Sequence, residues 1–469
     1  NQTLWGQGFP LFGIGGDKFP ILNGGGSDAI VLANNTEVAG LQIDGAEGAG
    51  IFGRNVTGFN IHNNRITNNI GDGIDIWNYG TSSTGTIAHN LVDSNNHGIY
   101  LFNDARNGQN ISQTVSITGN TITNNNNEDI KDHSRSHDVG SSITQNLTIS
   151  GNTISGSSRN GIYVRNEAYD SGSLTQTLAI TSNTISGNGR DGVRIIDEAR
   201  YKSVISQTST IKFNTISGNY KRGIYVRNVA YNDGGHITQT LTIANNTITN
   251  NRYSGIYLQN RAYYNGSITQ TVSIASNIIS GNGGSGIRVN NNAFANYYEE
   301  NGGGSISQTL NIASNTITNN SESGIYLRNF AGYGSSVTQT ATISHNTITG
   351  NGESGIYLKN RAAYYGSSTQ TVTITGNTIK NNANHGVRMY NYAYDGGVAT
   401  QHVDLSGGNT ISGNNGFGVS IYNRYSDGTA NQTVDLRNNT IVNNTAGSIY
   451  YNGRHSQTIT LPDGTVITN

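Results

Sequence analysis

Most of this chain repeats itself, so a chemically special place is expected where the repetition breaks. One stretch qualifies: Glu128-Asp-Ile-Lys-Asp-His-Ser-Arg-Ser-His-Asp138 replaces a strand that elsewhere reads Gly-Ile-Tyr-Val-Arg-Asn. Alternation along neighbouring strands places Asp75, Tyr100, Lys131, His133, Tyr163 and Arg165 on one outward stripe around it. Lys, His and Tyr are residue types that move protons in catalysis, and Arg forks grip carboxylates. The acids Glu128, Asp129, Asp132 and Asp138 could hold Ca²⁺, although they lack the spacing of a recognised calcium loop. Asp132 falls on a position that is apolar in the other coils, which implies a local bulge or a carboxylate held by Lys131 or Arg135. The alternative is that residues 128–138 form a solvated loop insertion.

The elements that must position these residues are read from the repeat. An Asn-Thr-Ile triplet or close variant recurs at Asn120, Asn152, Asn183, Asn214, Asn246, Asn277, Asn315, Asn346, Asn377, Asn409 and Asn439. Counted from each Asn to the next, the steps are 32, 31, 31, 32, 31, 38, 31, 31, 32 and 30, the mark of a stacked supersecondary unit. In the specimen coil 238–268, three short segments rich in Thr, Ile and Leu alternate with period two, and none has the 3.6-residue period of a helix. Leu241, Ile243, Ile248, Ile256 and Leu258 point inward, and coils stacked about 4.8 Å apart bury a continuous aliphatic core. Gln176, Gln207 and Gln239 share the inward parity and are expected to form an internal hydrogen-bonded ladder. Asn183 and Asn188, with their equivalents, are assigned to corner columns, because Asn tolerates left-handed backbone angles and its amide bonds its copies above and below.

The Asn-Thr-Ile, Gly-Ile-Tyr and Thr-Gln-Thr blocks, spread over roughly residues 25 to 460, resemble the right-handed parallel β-helix repeats of pectin-lyase-like proteins. They also resemble the β-helical passengers of bacterial surface and autotransporter-type adhesins. The resemblance implies an all-β solenoid, a right-handed parallel β-helix with three strands per coil and about 31 residues per coil. The chain divides into an opening coil at 1–40, irregular coils at 41–144 and regular coils at 145–469, in one solenoid domain; Trp5 to Phe12 is the candidate opening segment. About thirteen or fourteen coils give a rod of roughly 60 to 70 Å. Polysaccharide lyases and epimerases of this fold abstract the proton beside a uronate carboxylate while a cation neutralises that carboxylate. On that resemblance Lys131 or His133 is the base, Arg165 the neutraliser and Tyr100 or Tyr163 the proton donor, with Ca²⁺ a possible cofactor; no Asp-Pro-His motif of the mannuronan epimerases is present.

The outward parity of the Gly-Ile-Tyr segments defines a second candidate, a long aromatic and basic stripe. Its binding residues are Tyr163, Arg165, Arg194, Tyr225, Arg227, Tyr257, Arg288, Tyr326, Arg328, Tyr357 and Arg388. Aromatic faces stack on sugar rings and Arg pairs with carboxylates, so the stripe suits an extended anionic glycan. The competing reading is that Tyr and Arg ladders stabilise strands by stacking on their own copies. A third face carries outward Thr238, Thr240 and Thr242, with Thr369, Thr371 and Thr373, a lattice similar to those of ice-binding solenoids.

Composition narrows the classes. Charged residues are 12% of the chain, formal net charge is −1, and there is no Cys, which excludes disulfides, thiolate metal sites and Cys nucleophiles. No apolar run approaches the ~18 residues of a membrane span, no leader stands at Asn1, and no basic run or phosphate loop points to nucleic acid or nucleotide. Near-copy coils with one inserted loop at Tyr297 to Gly304 favour an extracellular or cell-surface scaffold or adhesin that binds polysaccharide through the Tyr/Arg stripe. A lyase or epimerase acting on an acidic polysaccharide is the alternative, followed by an ice-binding lattice or an end-to-end filament.

Overall fold

The computed structural model describes residues 2–5, 21–23, 26–295, 302–453 and 456–468. Most of the opening segment Trp5 to Phe12 and of the inserted loop at Tyr297 to Gly304 therefore lies outside the described residues. The chain forms two compact units, Asn1–Lys221 and Arg222–Asn469. Among the described residues both are all-β, without helices, and every coil contributes one strand to each of three parallel sheets.

In the N-terminal unit the coils lengthen along the chain. The ladder asparagines Asn64, Asn90, Asn120 and Asn152, each bonded to the next, stand 26, 30 and 32 residues apart. The third sheet grows with them, from Ile51–Arg54 and Ile74–Asn78 to Ile99–Ala105, Ile130–Ser136, Ile162–Ala168 and Val193–Arg200. The C-terminal unit is regular. Glutamines of its first sheet step by 31 residues from Gln239 to Gln270 and again from Gln308 through Gln339, Gln370 and Gln401 to Gln432, with one step of 38 between Gln270 and Gln308. Its final strand, Val466–Thr468, folds back antiparallel on Gln457–Thr460.

The inward parity read from the specimen coil holds, with Leu241, Ile243, Ile248, Ile256 and Leu258 all at 0% exposure. The polar columns inside are satisfied by their own copies. Asn152 donates its backbone N–H and its Nδ2 to Asn183 Oδ1 at 2.9 and 3.0 Å, and the same Nδ2 to the Ile117 carbonyl. Gln270, Gln308 and Gln339 each donate Nε2 to the Oε1 of the glutamine one coil earlier, at 2.6 to 2.7 Å. Buried amides are tolerated here because the stack supplies most of their partners; Gln113 Nε2 and Asn166 Oδ1 are among the exceptions. One expectation is corrected. The left-handed backbone falls on the residue before each ladder Asn, such as His89, Ser182 and Phe213, with φ of 54°, 57° and 59°, and the Asn itself is chosen for its amide.

Candidate functional site

In the N-terminal unit the widening third sheet carries a cluster of charged side chains. Strand register sets Asp75, Tyr100, Lys131, Tyr163 and Arg194 side by side in one outward column. The next outward column holds Trp77, Phe102, His133, Arg165 and Ile196. Three residues before the first column, at the sheet's leading edge, stand Asp72, His97 and Glu128. His97 Nδ1 lies 2.7 Å from Asp72 Oδ1 and its Nε2 lies 3.4 Å from Glu128 Oε2, so two carboxylates clamp one imidazole. Burial disfavours every charge in this clamp, yet the His97 contacts override it and hold Asp72 and Glu128 below the usual carboxylate range. Burial likewise pulls His97 down, and the two carboxylates override that and raise it.

Asp75 is compensated only weakly, by Trp77 and His97. It is 8% exposed, and its Oδ1 and the neighbouring Trp77 Nε1 are buried without a hydrogen-bond partner among the described residues. Burial, then the Asp72 charge, push its carboxyl up to about 8, so it is held protonated near neutral pH. Beside it the Lys131 ammonium sits 4.3 Å from the centroid of the Tyr100 ring. Burial lowers Lys131 despite the nearby Glu128 and Asp72, and burial together with Asp75 raises the Tyr100 phenol. A neutral acid, a depressed amine and a phenol on three register-paired strands form a set able to transfer protons.

The other residues expected to do chemistry are engaged elsewhere. His133 Nε2 is 2.6 Å from Glu167 Oε2, and burial draws its pKa down in spite of that contact. Arg165 pairs with Glu167 and, at 3.4 Å, with Glu198. Although Glu167 is buried, His133 and Arg165 pull it down to about 2. Tyr163 packs under Arg194, 5.5 Å away, whose guanidinium also reaches Asp191 at 3.6 Å. Glu167 and Glu198 are absent from the candidate residues named from sequence. They lie in the third outward column, Asp104, Arg135, Glu167 and Glu198, which the same parity argument could have exposed.

Within 128–138, Ile130–Ser136 is a strand in unbroken register with both neighbours rather than a loop insertion. Asp132 forms no bulge and is not held by Lys131 or Arg135. Its carboxyl points inward, accepts Gln145 Nε2 at 2.6 Å and Gln176 Nε2 at 3.0 Å, and is raised by burial to about 7. Asp129 occupies the column of Gly73, Gly98 and Gly161, where a Cβ on Gly98 would lie 2.9 Å from Asn125 Nδ2. It is accommodated because the next corner position is Ser157 rather than Asn, so Asn125 Nδ2 donates 2.7 Å to Asp129 Oδ1 instead. Glu128 accepts from Asn160, and Asp138 from the Asn107 N–H. The four acids expected to share Ca²⁺ thus have separate partners. No group of three or more His, Asp or Glu side chains among the described residues is arranged to hold a metal.

The C-terminal unit carries the rest of the stripe. Tyr225 and Tyr257 stack at 5.3 Å, as do Tyr326 and Tyr357 at 5.0 Å. Guanidiniums fill the gaps: Arg288 lies 5.4 Å from Tyr257 and 5.2 Å from Tyr326, and Arg388 lies 4.8 Å from Tyr357. Ring faces expected to receive sugar rings are therefore covered by their own neighbours, and the Tyr257 hydroxyl is hydrogen-bonded to Gln259 and Asn290. Tyr225 is only 6% exposed, with its hydroxyl on Gln259. Arg227 is register-paired with Gln259, and Arg328 Nη1 donates to Asn290 and Asn292 at 2.9 and 3.0 Å.

Charge separates this sheet from its N-terminal counterpart. Its eight strands contain Arg227, Arg261, Arg288, Arg328, Lys359, Arg361, Arg388 and Arg424, and no Asp or Glu. Arg288 reaches Glu322 of a connecting turn at 3.7 Å; the other seven have no carboxylate within 4 Å among the described residues. Arg328 and Lys359 are direct register partners. Burial, then Arg361, Arg328 and Arg388, lower the Lys359 ammonium.

No curated protein matches the chain. Among solved structures it is similar to the A-module of the Azotobacter vinelandii mannuronan C-5 epimerase AlgE4, at 15% identity and a TM-score of 0.34 over 82% of this chain and 90% of that one. It is also similar to the Dettilon tailspike protein, at 13% identity and a TM-score of 0.23 over 79% of this chain and 62% of that one. A family of proteins of unknown function, DUF1565, matches residues 9–168. The right-handed β-helix family matches residues 108–232, 142–309 and 230–400, which together cover more than half of the chain. The three parallel sheets, the stacked Asn and Gln ladders and this match agree: the chain belongs to the right-handed β-helix family, as a parallel β-helix repeat protein.

Proposed function

We propose that this protein is an extracellular or cell-surface β-helical scaffold that binds an acidic polysaccharide along the third sheet of its C-terminal unit. The observation that carries the reading is the charge imbalance: eight cations on that sheet's strands against no acid there, only Arg288 among the described residues paired with a carboxylate of a connecting turn, and Arg328 beside Lys359 in register. Like charges set one strand apart repel, and an anionic polymer laid across them relieves the repulsion while its carboxylates or sulfates accept guanidinium hydrogen bonds. Tyrosine hydroxyls from the stacked columns add neutral hydrogen bonds to sugar hydroxyls. Binding should be measured by biolayer interferometry against polygalacturonate, alginate, a sulfated glycan, a neutral glucan and single-stranded DNA at rising salt. Affinity for acidic glycans that weakens with salt supports the reading. Equal binding to the neutral glucan, or binding to DNA alone, rejects it.

A second reading has its own observation, the unpartnered and protonated Asp75 beside Tyr100 and Lys131. These groups suit a polysaccharide lyase or epimerase acting on uronates, with Lys131 or Tyr100 exchanging the proton and Asp75 donating a hydrogen bond to the uronate carboxylate. Lyase products absorb near 232 nm, and epimerisation is read from the proton NMR of the polymer, each with and without Ca²⁺. Activity lost in Lys131→Ala and in Tyr100→Phe supports this reading, and a chain inert on every uronate polymer ends it.

A further inference from the structure

The tyrosine ladder of the C-terminal unit is tight for most of its length and opens at one place. Stacked pairs such as Tyr231–Tyr263 and Tyr326–Tyr357 lie at 5.0 Å with ring planes 8° and 20° apart. At the strands Val387–Tyr394 and Phe417–Ser426 Tyr392–Tyr394 stays stacked at 5.2 Å and 22°, but Tyr390 stands off: Tyr390–Tyr392 is 6.1 Å at 53°, and Tyr390–Tyr422 is 6.5 Å at 45°. The sequence supplies the cause. One column of this sheet is alanine from Ala230 through Ala262, Ala293, Ala331 and Ala362 to Ala393, and then becomes Tyr425. A phenol cannot fit where a methyl group fitted, so Tyr425 turns outward and is 44% exposed. An open cleft of about 450 Å³ results, lined by Tyr390, Tyr392, Arg424, Tyr425 and Asn452.

The lining differs in kind from the rest of the stripe. Tyr392 keeps one face on Tyr394 and Tyr390 lies under Lys359, so the ring surface presented to the C–H face of a pyranose is that of the exposed Tyr425. Arg424, 5.6 Å from the Tyr422 ring and without a carboxylate within 4 Å among the described residues, supplies a fork for a carboxylate or sulfate. The Asn452 amide can pair with hydroxyls. The volume is at the small end for ligand pockets, room for one or two sugar residues rather than a long chain.

We infer that this cleft is a discrete subsite for a short acidic saccharide, one or two residues long, gripped by Arg424 and by the exposed ring of Tyr425. The inference rests on the acidic-glycan reading of this unit and deepens it, since the charged stripe senses polymer charge while the cleft recognises an individual sugar. The full chain should be titrated calorimetrically with a galacturonate trisaccharide, the corresponding neutral galactose trisaccharide and polygalacturonate. Three variants are compared, Arg424→Ala, Tyr425→Ala and Arg328→Ala/Lys359→Ala, with circular dichroism to confirm folding. Loss of one charged hydrogen bond or one stacking face should lower acidic trisaccharide affinity roughly tenfold in the first two variants, with polymer affinity changed less than about threefold. The double variant should do the reverse. Trisaccharide binding that is absent from the parent protein, unaffected by both cleft variants or equal for the neutral sugar overturns the subsite while leaving polymer binding standing. Failure of polygalacturonate and every other acidic polymer to bind overturns the reading beneath it.

Discussion

The third sheets of the two units are built to one plan and carry opposite charge accounts. The N-terminal sheet holds six Lys or Arg residues and six Asp or Glu residues on its strands. Arg135 and Arg106 converge on Asp104, Arg165 and His133 on Glu167, and Arg200 on Glu198. The C-terminal sheet has eight cations and no acid on its strands. Identical parity and spacing thus give one surface whose charges are spent on each other and one whose charges await a partner. A basic residue in a repeat is informative about binding only when the column beside it is read as well.

The comparison can be broken in four ways, taken from the largest expected effect. Replacing Arg328, Lys359, Arg361 and Arg388 together by Ala should weaken polygalacturonate binding roughly 1000-fold at low salt, about 1 kcal/mol from each cation, and flatten the salt dependence measured by interferometry. Unchanged affinity would place the polymer elsewhere.

In the N-terminal unit, Glu167→Gln leaves Arg165 and His133 without their shared acid and should cost about 2–3 kcal/mol at pH 7, read from thermal melts. The sign follows from a carboxyl held down to about 2: its stabilisation is present above the ordinary Glu value and is lost as pH falls through about 2. The gap between variant and parent should therefore narrow below about pH 4.5. A gap constant with pH would mean that packing rather than charge is at stake.

Asp75→Asn tests the weakly compensated group. A folded pKa raised to about 8 contributes stability that is full below the unfolded value and lost as pH rises through about 8. The variant should match the parent below about pH 4 and exceed it by on the order of 2 kcal/mol at pH 9. Equal melting temperatures at pH 9 would show that the carboxyl ionises freely. The smallest effect is expected from moving the N-terminal solution across: Phe330→Glu puts a carboxylate in the outward column equivalent to Glu167 and Glu198, in register with Arg361. One such pairing should reduce polymer affinity about tenfold, and no change would argue that Arg361 is not a contact.

Much of the fold was legible, because a repeat fixes periodicity and parity many times over. The inward Ile columns, the Gln ladder and the buried Asn183 and Asn188 follow from spacing alone. The candidate sites were less legible. Lys131, Tyr100 and Asp75 were placed correctly on one outward column, but His133 and Arg165 looked available because the next outward column, which holds Glu167, was not read; Glu167 lies 34 residues from His133 and is also the partner of Arg165. Asp132 looked like an outward irregularity because a carboxylate in an aliphatic column is costly. Only the reach of Gln145 and Gln176 across the interior makes it acceptable.

The sequence by itself determined the three-sheet coil, the direction in which each side chain points and the residues that stack coil upon coil, since each follows from period-two strands repeated at a near-constant spacing. Tertiary structure alone decided which outward groups neutralise one another, which ring faces are covered and which carboxyl is stranded. Those outcomes depend on atoms a few ångströms apart on different coils, where one Tyr in an Ala column or one Ser in an Asn ladder redirects the contacts around it.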